Sequence, residues 1–161
     1  MKTVKGDLIK MALNDEFDVI VHGCNCHCCM GAGIADTIAN TFPKALIADC
    51  KTTVGDDSKL GTYSTAFEKN VVVVNAYTQY DYTHNKIDVD YDAVRECFQA
   101  IKKEFTGTRI GYPLIGAGLA GGDWNIISKI IDEELDGEDH TLVLFDNASS
   151  YMCSPYFDKD E

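Results

Sequence analysis

Short apolar runs alternate along this chain with segments whose apolar positions recur every three or four residues. Asp18–His22 (DVIVH) is an apolar run leading into glycine, and Val71–Tyr77 (VVVVNAY) is a β-branched run of the kind buried on both faces of a sheet. Arg109–Ile115 and Thr141–Phe145 read as further strands, with Met1–Lys5 and Leu60–Phe67 as edge or near-edge strands. Between them Ala93, Val94, Cys97, Phe98, Ile101 and Phe105 fall at helical spacing, as do Ile127, Ile130, Ile131 and Leu135, and Ile34, Ile38 and Phe42. Asp90 suits the N-cap of the first of these helices, Asp123 sits at the start of the second, and Pro43 begins another turn after Phe42. Strands alternating with amphipathic helices predict an α/β fold: a three-layer α/β/α sandwich around a mixed sheet of about six strands.

Two glycine-rich segments, 23–35 (GCNCHCCMGAGIA) and 113–124 (PLIGAGLAGGDW), each follow a predicted strand and precede a predicted helix. Glycine lets main-chain N–H groups approach an anion closely, and the helix N-terminus that follows adds its positive dipole end. Two such loops can clamp a diphosphate, and the ligand crevice is expected at the C-terminal ends of the strands from which they emerge. The stretch Tyr77–Tyr91 lacks periodicity and reads as a surface loop beside that crevice, with Tyr77, Gln79, Tyr80 and Tyr82 as one candidate wall.

The 161 residues, 45% hydrophobic, suit one domain, expected over residues 1–150 and followed by a polar tail, 151–161. In that region Tyr151, Met152 and Tyr156 are possible docking points. Lys and Arg total 14 against 26 Asp and Glu, so a net charge of -12 argues against nucleic acid or an anionic membrane as partner. A small anionic ligand stays open, because backbone amides act locally. The seven cysteines are odd in number, and Cys24, Cys26, Cys28 and Cys29 are bunched, unlike a disulfide framework; a reducing cytoplasm is expected, the host's if the gene is viral. A structural zinc site needs a second Cys-x2-4-Cys pair elsewhere, and Cys50, Cys97 and Cys153 are scattered without that spacing, so no metal is expected, and some thiols could line a ligand loop as oxidation-prone groups. The first seven residues lack the apolar core of a signal peptide, and no run approaches the ~18 apolar residues of a membrane span.

Four segments, in order, resemble the macrodomain family across nearly the whole chain: Lys5-Gly6-Asp7-Leu8, the stretch from His22 to Ala45, Asp90-Tyr91-Asp92-Ala93, and Ile115 to Trp124. Within the family the chain looks similar to the group of the fungal ADP-ribose-1''-phosphate phosphatase and the terminal ADP-ribose glycohydrolases, with related small proteins of large tailed bacteriophages. The resemblance implies a monomer that binds ADP-ribose or ADP-ribose 1''-phosphate without a cofactor. It implies that Asp7, beside Leu8, accepts a hydrogen bond from the adenine 6-amino group. It implies that Gly31, Ala32, Gly33 and Ile34 form the first diphosphate loop, and that Ile115, Gly116, Ala117, Gly118, Leu119 and Ala120 form the second. Asn25 would hold the distal ribose and Phe145, with Asp146 and Asn147, would lie beside the adenine. On the residues alone Asp7 and Asn25 equally suit turns, the glycines suit element ends, and Phe145 suits a core.

The same resemblance implies hydrolysis of the terminal phosphate of ADP-ribose 1''-phosphate. His22, at a strand end near Asn25, is the candidate general acid/base or nucleophile, and Asp123 the candidate to orient water or hold protonated His22. Their structural alternatives are a hydrogen-bonded core imidazole and a helix cap. The covalent lysine of the glycohydrolases has no counterpart: Asn75, Ala76, Tyr77, Thr78 and Gln79 occupy that strand end, Lys86 lies well beyond, and their acidic partner aligns with Ala120. A non-catalytic ADP-ribose reader is the alternative from another class, and a hydrolase acting on ADP-ribosylated protein or nucleic acid a third.

Overall fold

The computed structural model describes residues 1–83 and 85–145. Six strands, β1 (Lys2–Gly6), β2 (Val19–Cys24), β3 (Tyr63–Glu68), β4 (Val71–Tyr77), β5 (Arg109–Tyr112) and β6 (Asp139–Phe145), form one sheet in the order β1-β6-β5-β2-β4-β3. Every pair is parallel except the antiparallel β3–β4 hairpin, so the sheet is mixed as expected, and β1 and β3 are its edges. Pro113 stops β5 three residues before the expected end, because it cannot donate to a ladder. The expected tail and the Asp146-Asn147 segment lie outside the described residues.

The alternation of side chains along the strands sorts the apolar residues onto two faces. Val19, Val21, Val74, Ala76, Ile110, Tyr112 and Leu142 pack under α4 (Tyr91–Phe105) and α5 (Trp124–Glu134) through Val94, Phe98, Ile101, Ile127 and Ile131. Ile20, Val71, Val73 and Val143 face the other way, against α1 (Leu8–Leu13), α2 (Gly33–Thr41) and α3 (Pro43–Cys50) through Leu8, Ile9, Ala12, Ile38 and Ala45. Helix α1 is additional to the elements expected from sequence: Asp7 caps it, its Oδ1 accepting from Ile9 N at 3.0 Å and Lys10 N at 3.1 Å. Asp90 and Asp123 cap α4 and α5, as their positions indicated. Among the described residues no helix is long and apolar enough to cross a membrane.

Candidate functional site

Parallel strands end on one side of the sheet, and the loops leaving β1, β2, β4, β5 and β6 there enclose a cleft of about 720 Å³. Asp7 lies just past β1 and Phe145 ends β6; the two glycine loops follow β5 and β2; Gln79 and Tyr82 follow β4. From β1 to β4 is four strand spacings, about 19 Å, so the cleft is an elongated trough crossed by glycine loops midway.

The first loop follows β2, which runs on past β5 and ends level with β4, Cys24 opposite Tyr77. Asn25 folds it back on itself: its Oδ1 accepts from His27 N at 2.9 Å and its Nδ2 donates to Cys29 O at 2.9 Å. The chain then enters α2 through Gly33 at φ +60°, a conformation that suits glycine, and the N-cap Ala32 offers no side-chain acceptor to the first-turn N–H groups. Gly31, Ala32, Gly33, Ile34 and Ala35 all line the trough, so those donors are presented to whatever occupies it. The second loop is a run of turns in which Gly122 N donates to Gly116 O at 2.7 Å and Gly121 N to Gly118 O at 3.1 Å. It is fastened from behind by Asp88 N donating to Ala120 O at 2.8 Å and by Asp123 N donating to Tyr91 Oη at 3.0 Å. Gly116, at φ +72°, leaves no room for a Cβ, which would stand 2.6 Å from Val89 Cγ2.

Most residues singled out from sequence meet here. Asp7, Leu8, Asn25, Gly31, Ala32, Gly33, Ile34, Ile115, Gly116, Gly118, Leu119, Ala120 and Phe145 line the trough. Ala117 does not; it packs against the α4/α5 core. Of the suggested aromatic wall, Gln79 and Tyr82 line the trough, whereas Tyr77 is buried, donating to Asp49 Oδ1 at 2.8 Å, and Tyr80 donates to Gly55 O. Of the bunched thiols, some of which were expected to line a ligand loop, Cys24 and Cys29 do so; sequence reasoning passed over Gly6, Ile9, Thr37, Leu114 and Val143 as lining residues. The Leu8, Ile9, Ala12 spacing after a capping Asp was the available signal for the α1 contribution.

The two acid/base candidates lie outside the trough. His22 is 0% exposed in mid-sheet, its Nε2 2.7 Å from Asn75 Oδ1. Because Asn75 Nδ2 donates to Ala45 O and Ser64 Oγ, its Oδ1 must accept, which fixes the neutral Nε2–H tautomer of His22. Burial pushes the imidazole down from 6.5 to about 4, only partly offset by the Asn75 bond, so it is neutral at pH 7. Asp123 caps α5, accepting from Asn125 N at 2.9 Å. Strand alternation is the reason for His22: it points to the α2/α3 side, while the trough opens at the strand ends.

Among the described lining residues Asp7 is the one carboxylate, and no Lys, Arg or His is present, so an anion in the trough meets main-chain N–H groups and the neutral donors of Asn25, Thr37, Gln79 and Tyr82 rather than a cationic side chain. The thiols Cys24 and Cys29 also line it; burial pushes the Cys24 thiol well up. Among the described residues no group of three or more His, Cys, Asp or Glu is arranged to hold a metal ion.

A doubly covered, mostly parallel sheet with two glycine-rich loops meeting at its strand ends defines an α/β protein with its cleft at the carboxyl ends of the strands. The profile of the Macro domain family matches residues 21–131, and the chain belongs to that family. It is similar to an uncharacterized 17.5 kDa protein from the tk-vs intergenic region of Enterobacteria phage T4, 37% identical over 142 residues, covering 82% of this chain and 88% of the relative. The fold is like that of the macrodomain of Thermus aquaticus DarG, with TM-score 0.68 and 19% identity over 90% of this chain and 97% of that one. It is also like that of a Trypanosoma brucei macrodomain solved in complex with ADP-ribose, with TM-score 0.64 and 17% identity over 92% of this chain and 65% of that one.

Proposed function

We propose that the trough binds ADP-ribose. The observation that carries this reading is the pair of glycine cradles, on adjacent strands β2 and β5, at the middle of a trough whose two ends differ in chemistry. The cradles hold the diphosphate through main-chain donors. Asp7 keeps Oδ1 on the α1 cap and turns Oδ2 to the adenine 6-amino group, with Phe145 beside the ring. The distal ribose then lies at the β2/β4 end, against Asn25, Cys24, Gln79 and Tyr82. The ADP-ribose complex of the Trypanosoma brucei relative supports the choice of ligand. Calorimetric titration tests it: ADP-ribose binds with one site per chain and AMP more weakly, whereas no heat with ADP-ribose removes the reading.

A second reading, dephosphorylation of ADP-ribose 1''-phosphate to ADP-ribose and phosphate, is supported by Asn25 at the ribose end. With His22 buried and Asp123 on its cap, the proton transfers fall to water and to the substrate's own phosphate, and Asn25 acts by positioning. Phosphate release that is lost in Asn25→Ala supports this step; binding without release makes the protein a reader. A hydrolase of ADP-ribosylated nucleic acid is disfavoured by the charge of -12.

A further inference from the structure

Of the four bunched cysteines, Cys28 turns away from the trough into the body of the protein. Its φ of +55° is a left-handed conformation that a non-glycine residue adopts at about 1 kcal/mol or more. Side-chain contacts hold it there: Sγ lies 3.3 Å from Asp49 O, 3.4 Å from Thr52 Oγ1 and 3.7 Å from Lys59 Nζ. Lys59, at the end of the 3-10 turn Asp57–Lys59, is only 7% exposed. Its ammonium donates to Thr52 Oγ1 at 2.9 Å and stands 5.0 Å from the centre of the Tyr77 ring. Among the described residues it forms no ion pair with a carboxylate. The Lys59 ammonium thus stands against a hydroxyl, an aromatic face and the Cys28 sulfur, with the Asp49 and Asp56 carboxylates farther off as its counter-charges. Cys28 is itself partly exposed, so a small oxidant reaches it.

We propose that Cys28 and Lys59 form an oxidation site at which a hydroperoxide drives a sulfur–nitrogen cross-link. The Cys28 thiolate attacks the peroxide, the O–O bond breaks, and Sγ becomes a sulfenic acid as hydroxide leaves. That hydroxide takes a proton from the Lys59 ammonium, giving water and a neutral amine. The amine lone pair attacks Sγ, the S–O bond breaks, and the departing hydroxide removes the remaining extra amine proton as a second water. One peroxide is reduced to two waters while thiolate and ammonium become a neutral sulfenamide, and a thiol reductant reverses it. The link pulls residue 28 toward the 3-10 turn, and the adjacent carbonyl, Cys29 O, is the one that holds Asn25 Nδ2. Oxidation thereby shifts the Asn25 end of the trough.

The test reads mass, so it is independent of what the trough binds. The full chain is treated with one equivalent of hydrogen peroxide and analysed by intact mass and tryptic mapping. The expected product has lost two hydrogens, joins the Cys28 and Lys59 peptides, resists cleavage after Lys59 and reverts with dithiothreitol. Cys28→Ser abolishes it, and Lys59→Gln stops at a sulfenic acid trapped by dimedone. A Cys28–Cys50 disulfide has the same mass change, so Cys50→Ser, at an exposed position, is the decisive variant: the Cys28–Lys59 link persists in it. Mapping of the link to Cys50 or Cys29, or Cys28 left unmodified while Cys29 oxidises, overturns the proposal.

Discussion

Replacing Gly116 by alanine separates the architecture of the second cradle from its chemistry. At φ +72° an L side chain adds about 1–2 kcal/mol of backbone strain. The new Cβ would also stand 2.6 Å from Val89 Cγ2 and 3.1 Å from Ile127 Cδ1, and such overpacking costs about 1–3 kcal/mol. Taking roughly 3 kcal/mol as the sum, a chain of this size loses about 6–12 °C in Tm. Part of the strain is relieved by the loop moving off Val89, which withdraws main-chain donors from the diphosphate. One such bond to a charged group lost, about 1.5–3 kcal/mol, weakens ADP-ribose by roughly tenfold or more. Gly118 is the control: a Cβ there meets nothing within 4 Å, so Gly118→Ala leaves Tm nearly unchanged. Thermal melts and calorimetry on the two variants read both effects. Equal melting points for Gly116→Ala and the parent would show that the close packing of this loop is not what sets its shape.

Two further outcomes follow from the ends of the trough and the core behind it. Asp7→Ala loses the α1 cap as well as the adenine contact, about 1 kcal/mol of stability, whereas Asp7→Asn keeps a capping oxygen; titration of Asp7→Asn with ADP-ribose and its guanine counterpart should show a reduced preference for adenine at near-parental Tm. His22, held down to about 4 against an unfolded 6.5, takes up its proton on unfolding. Its contribution is complete above pH 6.5 and falls away as pH drops toward 4, about 3 kcal/mol in all. His140, also lowered by burial, acts in the same direction, and Asp49, raised by burial, acts in the opposite one at the acid end. Melting points recorded from pH 7 to 4.5 should decline, and decline less in His22→Gln; a flat profile would contradict the buried neutral imidazole.

The strands, the two glycine loops and the caps at Asp90 and Asp123 were readable because each is a local property: apolar period, glycine placement and a side chain next to its own helix. Helix α1 is only six residues, short enough for its spacing to be overlooked beside β1, and while Leu8 was singled out from sequence, the contribution of Ile9 to the trough became visible only in three dimensions. His22 is the clearest divergence. A histidine at the end of an apolar run three residues before Asn25 reads as a reactive group, and nothing local says which face of the sheet it occupies. The register β2↔β4, His22 opposite Asn75, decides that, and with it the bond that fixes the tautomer and the burial that keeps the ring neutral. Cys28 and Lys59, 31 residues apart, are likewise joined only by the fold. Sequence by itself determined which segments become strands, the longer helices and the two glycine loops, since hydrophobic period and glycine act within a few residues. Tertiary structure alone decided which polar side chains reach the trough and which are sealed beneath it, since burial and partners depend on chain brought together from far along the sequence.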